Sequence, residues 1–110
     1  MIMLQEYLVE LKNILAELNP YRAVLFGSYA EGTARVDSDI DLIVVLNKHE
    51  LPKSFAERSE NYSLVKRYFK LLKTKVPMDL IVYTRREWDD FLKSENSFTR
   101  EILEKGEVLV

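Results

Sequence analysis

The chain has 110 residues, enough for one hydrophobic core and too few for two, so a single domain spanning residues 1–110 is expected. With 47% hydrophobic and 31% charged residues it has the composition of an ordinary globular protein, and a net charge of −2 excludes a general polyanion binder while leaving room for a local basic patch. The absence of cysteine excludes disulfides and thiolate–zinc sites; a start without signal-peptide character and the lack of a membrane-length apolar run make a cytoplasmic protein with no membrane association the expectation.

Leu4, Leu8, Leu11, Leu15 and Leu18 recur at helical spacing and predict an amphipathic helix over about residues 2–18, ended by Asn19-Pro20 and too short for a zipper. Ala23-Val24-Leu25-Phe26 reads as a short buried strand. Gly27 then permits a sharp turn, and Ser28 to Glu31 can begin a helix whose free N–H groups, with the Ser28 hydroxyl, would attract a phosphate.

The loop that follows carries Arg35, either a phosphate contact or a solvated charge, and Asp37, which suits a turn. Asp39 and Asp41 stand two apart at the start of Ile40-Asp41-Leu42-Ile43-Val44-Val45-Leu46, a run whose apolar character on both faces predicts a central strand. Residues i and i+2 of a strand share a face, and adjacent carboxylates repel and resist desolvation. A divalent cation or a shared proton is the usual reason for such a pair, and oxygen-only ligation favours Mg²⁺ or Mn²⁺.

His49, the only histidine, falls in a polar loop and reads as a surface residue. Ser54-x-x-Glu57 has the form of a capping box, and Phe55, Tyr62, Val65, Phe69 and Leu72 predict one helix to about residue 73. Its second half holds Lys66, Arg67, Lys70, Lys73 and Lys75 with no acidic residue from 65 to 75, either a solvated face or a docking surface for an acidic partner or nucleic acid.

After Val76-Pro77, residues 78–84 predict a third strand with Asp79 near its start, another charge whose entry a cation on the neighbouring strand would explain. Thr84-x-x-Glu87 caps a further helix through Trp88, Phe91 and Leu92; Phe98, Ile102 and Leu103 mark a last short one; Gly106 releases Glu107-Val108-Leu109-Val110 as an edge strand or a segment folded back on the core.

Two rival readings of the acidic segment fail on required residues. Gly27-x4-Gly32 has the glycine spacing of a P-loop, yet Thr33 replaces its lysine. Asp37-x-Asp39-x-Asp41 begins like a calcium loop, yet Leu42 and Lys48 occupy the positions of its glycine and its bidentate glutamate.

Gly27-Ser28, ten residues, then Asp39-x-Asp41 resembles the G-S-x10-D-x-D signature of the nucleotidyltransferases related to DNA polymerase β. Residues 27–34 and 38–42 look most like the minimal nucleotidyltransferases, several of which are antitoxins paired with HEPN-domain toxins. The resemblance implies an α/β (α+β) fold, a small mixed β-sheet flanked by helices, with Asp79 as a third carboxylate on the next strand. It implies catalysis by Asp39, Asp41 and Asp79 with two Mg²⁺ ions, a phosphate grip by Gly27 and Ser28, and AMP transfer from ATP to a hydroxyl, a tyrosine of a cognate HEPN toxin being the expected acceptor. Larger relatives append a helical domain, so an open groove completed by another protein is expected here. The alternatives are a non-catalytic antitoxin or binding module, and a nucleotidyltransferase acting on a small molecule or an RNA end; direct nucleic-acid binding is not the expectation for an acidic chain.

Overall fold

The computed structural model describes residues 2–110, with side chains from Gln5 onward; Met1 and the side chain of Leu4, first of the predicted leucine stripe, lie outside the described residues. Helix α1 (Ile2–Leu18) buries Leu11 and Leu15 and half-buries Leu8 and Leu18. It stops at Asn19, which takes the left-handed conformation (φ 53°) while its N–H donates to the Leu15 carbonyl at 2.8 Å.

Next come β1 (Arg22–Phe26), the one-turn helix α2 (Ser28–Glu31) and β2 (Ile40–Val45). Then follow α3 (Phe55–Tyr68), α4 (Lys70–Lys73), β3 (Met78–Tyr83), α5 (Arg85–Lys93), α6 (Ser97–Lys105) and β4 (Glu107–Val108). The four strands form one mixed sheet in the order β3-β2-β1-β4. β1 runs antiparallel to β2 and β4, and β2 runs parallel to β3. The doubly apolar β2 is central, as its sequence predicts, and the C-terminal segment supplies an edge strand with Leu109 packed on the core.

Strand alternation sorts the interior into two layers. Ala23, Leu25, Ile40, Leu42, Val44, Met78 and Leu80 face α1, α3 and α4 through Leu11, Leu15, Val65, Phe69 and Leu72. Val24, Ile43 and Val45 face α5 and α6 through Trp88 and Ile102, with Phe26, Tyr83, Phe91 and Phe98 packed around them. Phe91 centres that smaller layer, stacked on Trp88 at 5.5 Å and edge-on to Phe98 at 5.6 Å.

The helix predicted to reach residue 73 is broken at Phe69, whose N–H reaches the Lys66 carbonyl three residues back at 3.1 Å. The tightened turn sends Phe69 and Leu72, both fully buried, into the main layer. The two predicted capping boxes differ in detail. Thr84 and Glu87 exchange both bonds (3.0 and 3.3 Å), whereas Ser54 accepts from the Glu57 N–H and the Glu57 carboxylate turns instead to the Lys53 N–H at 3.1 Å. Among the described residues no helix is long and apolar enough to cross a membrane.

Because Phe69 fills the junction of α3, α4 and the sheet, Phe69→Ala is expected to cost about 3–5 kcal/mol, read by urea unfolding. A loss under about 1 kcal/mol would contradict this role.

Candidate active site

The parallel register that pairs Leu42 with Leu80 also sets Asp41 directly opposite Asp79. By alternation both belong to the α5–α6 face, where they occupy the N-terminal ends of strands that continue as Ile43 and Val45 and as Ile81 and Tyr83. Asp41 is half-buried and Asp79 is exposed. Their carboxyl groups are within hydrogen-bonding reach, and the Asp41 carboxyl is pushed up to about 6, first by burial, then by the charge and hydrogen bond of Asp79, then by the charges of Asp39 and Glu101.

Asp39 sits just outside the strand, whose pairing starts when the Ile40 N–H reaches the Pro77 carbonyl at 2.9 Å. It is exposed at the end of the loop, one residue before β2 begins, and its charge acts on Asp41. Among the described residues no three His, Cys, Asp or Glu side chains already converge as an ion-holding group. What the fold assembles is a close pair, Asp41 with Asp79, and a third carboxylate whose charge acts on Asp41.

Gly27 closes the site from the other strand. Phe26 pairs with Asp41, and Gly27 follows in a conformation (φ 75°, ψ −156°) that disfavours any side chain. A Cβ added there would stand 2.2 Å from Asp41 Oδ2, so the carboxylate rests against bare backbone. At the start of α2 the Gly27 carbonyl accepts from Ala30 and Glu31 at 3.1 Å, and among the described residues no backbone bond engages the N–H groups of Ser28 and Tyr29. Tyr29 anchors this turn in the main layer; burial, then Tyr7 and Asp39, raises the pKa of its phenol.

Other candidates fall elsewhere. The Arg35–Ser38 turn is closed by the Ser38 N–H to the Arg35 carbonyl (3.0 Å) and the Arg35 N–H to the Ser38 hydroxyl (2.8 Å), leaving Asp37 exposed within it and Arg35 at the surface. His49 lies beyond the far end of β2, against Arg85 at 3.2 Å. Glu101 is the site's unforeseen member: only the packing of α6 over this face brings it near Asp41, and nothing in its spacing distinguishes it from the other acids of that helix.

A half-buried carboxylate paired with an exposed one, beside a glycine turn at the start of a helix, suits phosphate-transfer chemistry. The chain belongs to the nucleotidyltransferase domain family, whose profile matches residues 8–109. No curated protein sequence matches the chain. Among solved structures, a toxin–antitoxin crystallised with AMP-PNP is similar at a TM-score of 0.58 and 18% identity, over 94% of this chain and 72% of that one. A toxin–antitoxin MntA–HpeT mutant with two aspartates changed to glutamate aligns at 0.56 and 18%, over the same shares. A nucleotidyltransferase from Sulfolobus solfataricus aligns at 0.62 and 20%, over 96% of this chain and 80% of its own. At these identities the likeness is one of fold.

The raised Asp41 value sets the sign of a stability effect. Unfolded, the group titrates near the usual carboxylate range; folded, it holds its proton up to about pH 6, so the folded form binds more protons between those values and loses stability as pH rises through 6. Asp41→Asn is therefore expected to melt a few degrees higher than the parent at pH 8 without divalent ions, and the difference should vanish near about pH 4. A variant less stable than the parent at pH 8 would show that Asp41 is not under repulsion. Gly27→Ala, in contrast, must displace Asp41 and is expected to lower melting temperature and abolish nucleotide binding; a parent-like nucleotide affinity, read by calorimetry, would contradict the packing of Asp41 against this turn.

Proposed function

We propose that this nucleotidyltransferase transfers AMP from ATP to a tyrosine hydroxyl of a cognate HEPN toxin and thereby acts as its antitoxin. The observation that carries the reading is the in-register pair Asp41 and Asp79 held against the Gly27 turn in a chain of the nucleotidyltransferase domain family. The likeness of fold to toxin–antitoxin structures, one crystallised with AMP-PNP, supports the choice of partner and nucleotide.

Asp39, Asp41 and Asp79 would hold two Mg²⁺ ions: the donors are all oxygen, and a cation would offset both the burial and the neighbouring charges that raise Asp41. When bound, the ions supply neutralisation of triphosphate charge and acidification of the acceptor hydroxyl. The protein's own groups do the rest. Free N–H groups at Ser28 and Tyr29 and the Ser28 hydroxyl hold the phosphates that depart as pyrophosphate, so charge gathering on the leaving group meets fixed donors. The tyrosine oxygen bonds to the α-phosphorus as the bond to pyrophosphate breaks, and Asp79, exposed on the sheet's edge strand, takes the phenolic proton. The open side of β3 leaves space for an acceptor as bulky as a folded protein.

Incubation with Mg²⁺, ATP and the purified toxin, followed by intact-mass analysis of both chains, is expected to show one or more AMP units on the toxin, reduced by at least about two orders of magnitude with Asp41→Asn. Toxin neutralisation by Asp41→Asn without transfer would overturn the catalytic reading in favour of inhibition by occupancy. Transfer to a small molecule or RNA with the toxin left unmodified would overturn the assigned acceptor.

A further inference from the structure

The basic run is divided by the fold. Lys75 is taken up by α1, its ammonium 2.7 Å from Glu10, and the Tyr7 hydroxyl donates to its carbonyl at 3.4 Å. Lys66, Arg67, Lys70 and Lys73 instead line one shallow groove on α3 and α4. None of these four forms an ion pair among the described residues, although Arg58, Lys75, Arg86 and Lys105 all do. Val65, Phe69 and Leu72 point into the main layer, so the four cations stand on the outer side of the helices. Beside them Leu71 is 77% exposed and Tyr68 is 39% exposed.

We propose that this surface docks an acidic protein partner, with Leu71 and Tyr68 as apolar anchors beside the cations; taking that partner to be the toxin rests on the function proposed above. Four clustered like charges that form no ion pair among the described residues raise a local positive potential in a protein that is acidic as a whole. Complementary carboxylates would lower that repulsion and steer association. A protein fits better than a nucleic acid: residues 66–73 span roughly 10 Å of helix, about three phosphates of one strand, and the rest of the chain, more acidic than the whole, would repel a longer polyanion. An exposed leucine is an anchor for an apolar pocket, not a platform for stacked bases.

The placement also suits the chemistry. α3 and α4 cover the face of the sheet opposite Asp41 and Asp79, so a partner bound there leaves the carboxylates free. α3 packs over β3, the edge strand that carries Asp79, so a docked partner can reach round that edge to the site.

The test compares the parent with Lys66→Glu/Lys70→Glu/Lys73→Glu, and with the milder Lys66→Gln/Lys70→Gln/Lys73→Gln should the first unfold, in calorimetric titration of the purified toxin at about 50 and about 300 mM salt. Parent affinity is expected to fall at the higher salt. The variants are expected to bind at least roughly tenfold more weakly with a flatter salt response, and AMP transfer should show a raised KM for the toxin at unchanged kcat. Variant affinity within about twofold of the parent would overturn the docking surface and leave the transferase reading standing. Charge-sensitive toxin binding without any AMP transfer would remove the transferase and keep the surface. Absence of toxin binding by the parent, or binding of a single-stranded RNA of about 20 nucleotides that the variants lose, would also overturn the surface as proposed.

Discussion

Two like charges held side by side are the constraint around which this fold is arranged. Asp41 and Asp79 meet because β2 and β3 pair in parallel with Leu42 opposite Leu80. That register is fixed by apolar residues on both faces: a slip of one residue would carry Ile40, Leu42 and Val44 out of the main layer and move Asp41 into it. The hydrophobic pattern that stabilises the sheet is therefore also what keeps the carboxylates together against their repulsion. Gly27 belongs to the same constraint, since only bare backbone fits where Asp41 rests.

Much of this is written in local sequence, and the remainder depends on partners in space. The leucine stripe of α1, the apolar run of β2 and the Thr84–Glu87 box are decided within a few residues of themselves, and they form as their spacing predicts. The spacing of Gly27, Asp39 and Asp41 and the entry of Asp79 into an apolar strand likewise signal a site before any fold is known. What short-range pattern does not encode is which strand neighbours which at what register, and hence that Asp79 stands directly opposite Asp41. The break at Phe69 escapes it for the same reason: residues 55–73 are a continuous helical pattern, and the turn tightens only because Phe69 and Leu72 are drawn into a pocket made by other elements. Glu101 is more extreme still, an ordinary surface acid until α6 lies over the carboxylate face.

The sheet also separates charge between its faces. Trp88 and Phe91 pack beside Tyr83 at the far end of β3, while Phe98 packs on Phe26, the partner of Asp41, so the near ends are covered only in part: Asp41 is half-buried and Asp79 exposed. The opposite face is closed by α1, α3 and α4, and its outer surface carries the unneutralised cations. One face thus carries the carboxylates Asp41 and Asp79, and the other carries its cations on the outer surface of its helices.

A protein that raises the Asp41 pKa to about 6 by burial, and then by the charge of Asp79, has an unfavourable charged site when nothing neutralises it. A cation that binds the folded form alone both relieves that repulsion and stabilises the fold by mass action. Site and fold are therefore linked through the same pair of carboxylates: the cost of ionising Asp41 next to Asp79 makes the native sheet less stable than an apolar one would be, and under the proposed function the same cost would favour a divalent cation beside the Gly27 turn. Replacing the aspartates by neutral residues would favour folding and remove the driving force for assembling the site, which is the physical reason that acidic residues occupy the start of two strands otherwise built for burial.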